Sequence, residues 1–302
     1  MKKVILTLAL VSLWGLWGLS AQTIRYVTPN GTGNGSSWHQ SSNSIQAMID
    51  TVYNKGGGEV RVAQGVYIPT DIPYVPSPSN PATPRDKSFL LKPKVSLIGG
   101  YSAVDTLAAR DWQVYPTVLG KGPYEYNSPY HILTAVACTD TIRVEGFTVQ
   151  YGLAYDAAVT NLGSIDIGGY EVERNRGGMA VYNSNIKLKD MRIKNNSSVE
   201  GGEIYCNASS LILENVRVDT NSAYGITNNS VGGGISCRES FIYLSNVTIG
   251  VNSDHSGGGL YLLNSTVKGE KASILKNISA RGGGVYMGSR YGMEHFLQNS
   301  RI

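Results

Sequence analysis

The sequence contains little charge. Charged residues make up 16% of the 302 residues, and Lys and Arg outnumber Asp and Glu by four. Without Lys2 and Lys3, which lie in an N-terminal leader, the formal charge falls from +4 to +2. A chain this close to neutral has no electrostatic reason to bind nucleic acid or an anionic membrane, and we expect neither as a partner.

Histidine and cysteine are also scarce. His39, His131, His255 and His295 share no ligand spacing with one another or with any of the three cysteines. The sequence therefore predicts no metal site and no other cofactor.

Long apolar runs are absent except at the N-terminus. There two lysines precede an uncharged stretch from Val4 to Leu19, and the small residues Ser20 and Ala21 follow. This order is typical of a secretory signal peptide covering residues 1–21. A membrane anchor is the alternative, but it would need a somewhat longer apolar stretch.

Glycine, in contrast, is abundant and periodic. A glycine pair or triplet runs five times into a short apolar-aromatic segment, at 177–182, 201–205, 232–236, 257–261 and 282–286. When Tyr182, Tyr205, Ser236, Tyr261 and Tyr286 are aligned, the steps are 23, 31, 25 and 25 residues. A period of this length indicates stacked units, each of which buries its apolar face only against its neighbours.

Each unit contains two further short runs in which apolar residues alternate with polar ones. An Asn follows three residues after the last apolar position, at Asn196, Asn221, Asn252 and Asn277. Three short strands and three turns use about 25 residues, which is one coil of a parallel β-helix. Helical repeats are the alternative, but units so rich in Gly, Asn and β-branched residues disfavour helices. The six extra residues of the 31-residue step fall at 223–230, in a turn.

The segment before the repeats predicts one helix. Ser44 suits an N-cap, and Ile45, Met48, Ile49 and Val52 form an apolar stripe, so we expect a helix over 45–54. A helix placed over the open end of a β-helix would cover its unpaired strand edge and its core.

The order of motifs here resembles a known superfamily. The chain shows GTGNGSSW, then IQAMID, GGGEVRVAQGVY and VSLIGGY, followed by AARDW and YPTVLG. This order looks like the N-terminal part of the pectate-lyase-like right-handed β-helix superfamily, and it is most similar to cell-surface members from Bacteroidetes. The later GGGxY and NxxIxxN units resemble polymorphic outer-membrane-protein repeats. The resemblance implies an all-β, right-handed parallel β-helix over 22–302, with its clearest repeats at 177–302.

Three stretches are expected to leave the stack as insertions. Residues 69–86 contain six prolines, residues 105–131 form a Tyr-rich connection, and residues 155–176 form a polar one. In solenoids, function usually lies on such insertions or on the solvent face of one sheet, although each can also be a tolerated surface loop.

Two of the three cysteines occupy equivalent places in the repeat. Cys206 and Cys237 each follow the aligned position by one residue, so both should point inward, about one strand spacing (~4.8 Å) apart. That separation suits a disulfide, which an exported protein permits. Two small buried hydrophobic residues, like Leu262 and Met287 in later units, are the alternative. Cys138 has no evident partner.

The outward positions offer two candidate binding surfaces. The aligned Tyr182, Tyr205, Tyr261 and Tyr286 form a ladder, interrupted at Ser236, that suits the faces and hydroxyls of sugar rings. Self-stacking that stabilises the sheet is the alternative.

The second surface is a row of arginines. Arg192, Arg217 and Arg301 occupy equivalent outward positions, with Thr248 and Ser273 between them. Such a row suits an acidic polysaccharide, because Arg binds carboxylates bidentately. Solvated surface arginine is the alternative.

Catalysis is the main rival to binding. A polysaccharide lyase acting on acidic glycans needs a cation or Arg for a uronate carboxylate, a base for the C5 proton and a route for the leaving group. The charged residues that could serve fall in one loop: Asp156, Asp166, Glu171, Glu173, Arg174 and Arg176. The related pectin-cleaving hydrolases carry paired aspartates, Gly-His-Gly and Arg-Ile-Lys, and only Arg192-Ile193-Lys194 occurs here. The sequence therefore identifies no catalytic residue.

The sequence favours an exported protein, secreted or on the outer-membrane surface of a Gram-negative bacterium. We expect a non-catalytic adhesin or glycan-binding scaffold, with host or environmental glycans or surface proteins as partners. Residues 297–302 align with 213–218, which continue into a further coil, so we expect the stack to extend beyond Ile302 in a longer protein. A truncated fragment without a function of its own is the third hypothesis.

Overall fold

The chain is described from a computed structural model that covers residues 22–79, 81–120, 122, 127–154, 162–223, 230–289 and 295–302. The predicted signal peptide lies outside the described residues, as does most of the predicted insertion at 223–230. Within the described residues the protein is all-β with one α-helix, and nearly all of its strands pair in parallel.

The largest of the described sheets contains twelve strands and is called the long sheet below. Its strands are Thr23–Val27, Gly58–Ala63, Gly65–Tyr67, Val95–Tyr101, Thr117–Leu119, Ile142–Glu145, Phe147–Gln150, Asn185–Lys194, Ser210–Asp219, Phe241–Gly250, Thr266–Leu275 and Phe296–Gln298.

The glycine-led segments form a second parallel sheet, called the short sheet below. Its described strands are Phe89–Leu91, Leu133–Val136, Met179–Tyr182, Ile204–Asn207, Ile235–Arg238, Leu260–Leu263 and Val285–Gly288. A small third sheet joins Leu153–Ala154, Ser197–Ser198 and Ser222–Ala223, and an antiparallel hairpin joins Ser164–Ile167 to Tyr170–Glu173.

Each strand of the later repeats pairs with the equivalent strand of the next repeat. Ile204 lies opposite Ile235, and Leu260 lies opposite Val285. The predicted alternation is confirmed, because the inward residues of both sheets belong to one continuous buried core. The second and third runs of each repeat were expected as separate strands, but they form one ten-residue strand bent at a residue with positive φ, such as Asn215 (φ 53°). Asn tolerates this left-handed conformation better than most residues.

The predicted helix is present at Ile45–Asn54. The Ser44 side chain accepts a hydrogen bond from the backbone N–H of Ala47, which satisfies one of the free donors of the first turn. The apolar stripe is buried, and the helix packs against the first strands of both main sheets. It therefore lies where the sequence placed it, at the N-terminal end of the core.

Two columns of polar side chains connect the repeats at their corners. In the first column, which contains the recurring asparagines, the backbone N–H of Asn196 donates to Asn221 Oδ1, that of Asn221 to Asn252 Oδ1, and that of Asn252 to Asn277 Oδ1, each at 3.0 Å. The second column was not predicted from the sequence. In it each serine hydroxyl accepts a backbone N–H from the preceding repeat: Ser184, Ser209, Ser240 and Ser265. Both columns satisfy buried backbone donors and fix the register between repeats.

The α-helix of the described residues, Ile45–Asn54, is too short to cross a bilayer, and these residues contain no longer apolar helix.

Candidate functional site

The outward side of the short sheet holds two rows of side chains and is called the outer face below. The first row consists of Leu90, Thr134, Ala180, Tyr205, Ser236, Tyr261 and Tyr286. The second row consists of Val136, Tyr182, Asn207, Arg238, Leu263 and Gly288. These residues alternate along each strand with those that enter the core.

The predicted tyrosine ladder is wrong at its first rung. Ala180 lies opposite Tyr205, and Tyr182 lies opposite Asn207 in the second row. The strand Met179–Tyr182 begins two residues earlier, relative to its tyrosine, than the later repeats do, so aligning tyrosines shifted the register by two. The step between these repeats is therefore 25 residues, from Ala180 to Tyr205, rather than 23.

The first half of the outer face is covered. The hairpin places Ile165, Ile167 and Val172 in a second apolar cluster with Tyr182 and Tyr205, which are 5% and 2% exposed. The two tyrosine rings lie 5.4 Å apart, and burial raises the pKa of both phenols. The expectation that Tyr182 and Tyr205 are exposed to a sugar is therefore wrong, because the hairpin Ser164–Glu173 packs over them.

A buried ion pair holds this cover in place. The Arg174 guanidinium donates to both carboxylate oxygens of Asp86, at 2.6 and 2.9 Å, and also to the carbonyl oxygen of Pro81. Tyr74 donates its hydroxyl to the same carboxylate at 3.0 Å. Burial alone would raise the pKa of Asp86, but the hydrogen bonds from Arg174 and Thr83 hold it below its usual value. The hairpin is thereby joined, through Arg174, to the described part of the proline-rich insertion around Asp86.

A charged cluster lies at the boundary between the covered and the open half of the outer face. The buried carboxylate of Glu200 bonds to Arg176 and Arg238 and accepts the Ser236 hydroxyl at 3.0 Å. Arg176 also lies over the ring of Tyr205, 4.9 Å from its centroid. We call Arg176, Glu200, Ser236 and Arg238 the Glu200 cluster. It fixes two arginines at the edge of the cover.

The open half of the outer face carries the remaining tyrosines of the ladder. Tyr261 and Tyr286 are half-buried, and their rings stack face to face at 5.1 Å with an interplanar angle of 4°. Arg238 lies over the other face of Tyr261, 5.9 Å from the centroid. Because both faces of Tyr261 are in contact with protein, a ligand there meets ring edges and hydroxyls rather than a free ring face.

The predicted arginine row is present on the long sheet. Thr148, Arg192, Arg217, Thr248, Ser273 and Arg301 lie opposite one another in adjacent strands. The side chains of Arg192 and Arg217 are 44% and 55% exposed, and both bond to the buried carboxylate of Asp219. One carboxylate thus offsets half of the charge that the two arginines present to solvent.

The charged residues proposed for lyase chemistry hold the hairpin together. Arg174 pairs with Asp86, Glu173 pairs with Arg176 at 2.6 Å, and Asp166 accepts the backbone N–H of Gly169 in the hairpin turn. Asp156 lies outside the described residues. Within the described ranges no group of three or more His, Cys, Asp or Glu side chains is placed to hold a metal ion.

The inward cysteines lie as the sequence predicted. Cys206 and Cys237 occupy directly opposite positions on adjacent strands, both are fully buried, and their thiols are unbridged. The hydrogen bond to Cys206, together with burial, raises the pKa of the Cys237 thiol.

Sequence reasoning missed two buried carboxyl groups, those of Glu200 and Glu203. The side chain at the position of Glu200 differs from each repeat to the next, so no sequence pattern marks it. The equivalent residues are Arg176, Val231, Ser256 and Arg281. Glu203 occupies the place of the third glycine in the GGG triplet of the later repeats. This exception to the repeat is the sequence feature from which a buried carboxyl group could have been predicted. The Glu203 side chain is fully buried and accepts a hydrogen bond from Asn196.

A cleft of about 590 Å³ follows the corner between the short and long sheets. Phe241, Lys268 and Glu239 contribute to its lining, and none of the predicted site residues does. The candidate site therefore remains the open half of the outer face with the Glu200 cluster.

Neither a protein-family model nor a solved structure matches this chain.

Proposed function

We propose that the protein is an exported, right-handed parallel β-helix of the pectate-lyase-like type that binds glycans without cleaving them. The observation that carries the proposal is the open half of the outer face, where Tyr261, Tyr286 and Arg238 present polar edges beside the hairpin. The leader at 1–21 supports export, and the repeat register supports stacked coils.

The side chains of this surface are held in place before a ligand arrives. Tyr286 stacks on Tyr261, Tyr261 contacts Arg238, and Glu200 accepts from Arg238 Nε. Side chains that are already ordered lose little conformational entropy on binding, so more of the contact energy remains as affinity.

The mode of recognition differs from the one expected for a tyrosine ladder. Stacked rings leave phenol hydroxyls and ring edges at the surface, and Arg238 adds guanidinium donors. These groups suit the hydroxyls and ring oxygens of a sugar chain, with a hydrogen-bonding contribution larger than that of ring stacking. The regular spacing of the repeats, ~4.8 Å, allows one extended chain to contact several rungs.

The test is a binding measurement on the mature chain, residues 22–302. Wild type and the Tyr261→Ala/Tyr286→Ala double variant are compared on an array of neutral and acidic polysaccharides, and the hits are quantified by calorimetry. We expect at least a tenfold loss of affinity, which corresponds to about 1.4 kcal/mol.

Tyr243→Ala serves as the matched control. Tyr243 is also a half-buried tyrosine on an outward position, but it lies on the long sheet. Its replacement should leave binding unchanged. Equal affinity for wild type and the double variant, or an equal loss in the control, would refute the proposed site.

A further inference from the structure

Two cysteines face each other inside the stack. Cys206 and Cys237 are partners in the parallel register of the short sheet, and both point into the core. Adjacent strands are about 4.7–4.9 Å apart, which lies within the Cα separation that a disulfide spans.

The position of the pair along the chain is also informative. The four steps between successive glycine-led strands, measured at Ala180, Tyr205, Ser236, Tyr261 and Tyr286, are 25, 31, 25 and 25 residues. The cysteines lie on the two sides of the 31-residue step, whose turn contains the extra segment. Closing a longer connection costs more chain entropy, and a cross-link between its two ends removes that cost from folding.

We propose that Cys206 and Cys237 form a disulfide that joins two neighbouring repeats across the 31-residue step. The inference rests on the proposed export, because an oxidising compartment permits such a bond. Two S–H bonds break and one S–S bond forms. The two electrons and two protons pass to a disulfide donor, a protein or a small molecule, which leaves as two thiols.

Burial determines when the bond can form. Both side chains are fully buried, so an oxidant cannot reach them in the folded stack. Oxidation must therefore precede the closure of these repeats, and the finished bond should resist reductants unless the protein is denatured.

The third cysteine provides an internal control. Cys138 is buried as well, but its thiol donates to the carbonyl oxygens of Leu91 and Val136. Its environment contains no second cysteine at an opposite position among the described strands. The oxidised protein should thus contain one free thiol, and that thiol should belong to Cys138.

The deciding experiment is refolding of the reduced chain, residues 22–302, in a glutathione redox buffer. The product is denatured and alkylated, with and without prior reduction, and the number of alkylated cysteines is read from the mass of the intact protein by mass spectrometry. We expect one alkylated cysteine without reduction and three with it. A Cys138→Ser variant should give none and two. Three alkylated cysteines without reduction would overturn the pair.

Stability and export are measured separately. The Tm of oxidised wild type should exceed that of Cys237→Ser by about 5–10 °C, whereas Cys138→Ser, which also removes a buried thiol, should change it less. An equal fall in the two variants would contradict a cross-link. Export is tested by where cells that express the full chain place the protein, and retention in the cytoplasm would refute the proposed export while a bond formed on refolding would stand. Exported protein with three free thiols would overturn the bond and leave export standing.

Discussion

Glu203 is a carboxyl group inside the core, at a place where the neighbouring repeats have glycine. Its side chain is 0% exposed, and Oε2 accepts a hydrogen bond from the Asn196 amide. Its other oxygen, Oε1, is buried and has no hydrogen-bond partner among the described residues. Burial raises the pKa of Glu203 well above the ordinary value of 4.5, in spite of the Asn196 donor. The group therefore favours its neutral, protonated form in the folded state.

Replacement of Glu203 by Gln should alter how stability depends on pH. A native pKa above the unfolded value means that the folded state holds a proton that the unfolded state releases above about pH 4.5. The free energy of unfolding of the wild type therefore has its full value below the unfolded pKa. It decreases as the pH rises from there to the native pKa of Glu203. Glu203→Gln should equal wild type near pH 3 and melt about 2–4 °C higher at pH 8, for a gain of about 1 kcal/mol.

The measurement is a series of thermal melts between pH 3 and pH 9. Glu171→Gln, which changes an exposed carboxyl group on the hairpin, is the control and should follow wild type throughout. If the Tm of Glu203→Gln differed from that of wild type by the same amount at every pH, the prediction would be wrong. The difference would then arise from the shape of the side chain and not from its charge.

At the scale of elements, the hairpin Ser164–Glu173 is held by its apolar cluster and by one buried ion pair next to it, Asp86–Arg174. The carboxylate of Asp86 accepts from Arg174, Tyr74 and the backbone of Thr83, so both insertions meet at one group. Removal of one partner from such a pair leaves a buried charge uncompensated, at a cost of about 3–5 kcal/mol. Loss of this pair should therefore loosen the hairpin and the segment around Asp86 together.

Arg174→Met should release the hairpin and leave the stack folded. We expect faster amide exchange over 164–173 and new protease cleavage there, because the hairpin detaches from the sheet. Its detachment also exposes Tyr182 and Tyr205. The double variant Asp86→Asn/Arg174→Met should be less destabilised than Arg174→Met alone, since no buried charge remains. Arg217→Met removes an exposed guanidinium whose partner Asp219 keeps its bond to Arg192, so it should cost about 1 kcal/mol or less. Equal exchange in Arg174→Met and Arg217→Met would contradict this account.

The contrast between the repeats and the insertions explains which parts of the structure the sequence could predict. Inward alternation at Ile204 and Cys206, and the Asn221 corner, follow from strand period and turn chemistry, which act over a few residues. The contact between Asp86 and Arg174 joins residues 88 positions apart inside two irregular insertions, so no period indicates it. The register of Tyr182 failed for a local reason: aligning the tyrosines gives a step of 23 residues and aligning the first glycines gives 24, whereas the strands pair at a step of 25.

At the scale of the whole molecule, stability is distributed along a stack of similar units. Each later repeat contributes a short strand, a bent ten-residue strand and two corner side chains, and each of these pairs mainly with the preceding and following repeat. In such a stack every interface has nearly the same register. Removal of one complete period should therefore join two surfaces that already match.

Deletion of residues 240–264 tests this directly. The deletion removes 25 residues and brings Ser265 to the place of Ser240, because these two serines are neighbours in one column. We expect a folded protein that melts cooperatively and whose maximum dimension in solution scattering is shorter by about 4.8 Å, one strand spacing. Deletion of residues 240–251 removes about half a period, so inward and outward positions no longer match those of the neighbouring repeat. That variant should aggregate or unfold. If both deletions fold equally well, or if only the half-period deletion folds, the register between repeats does not determine the fold.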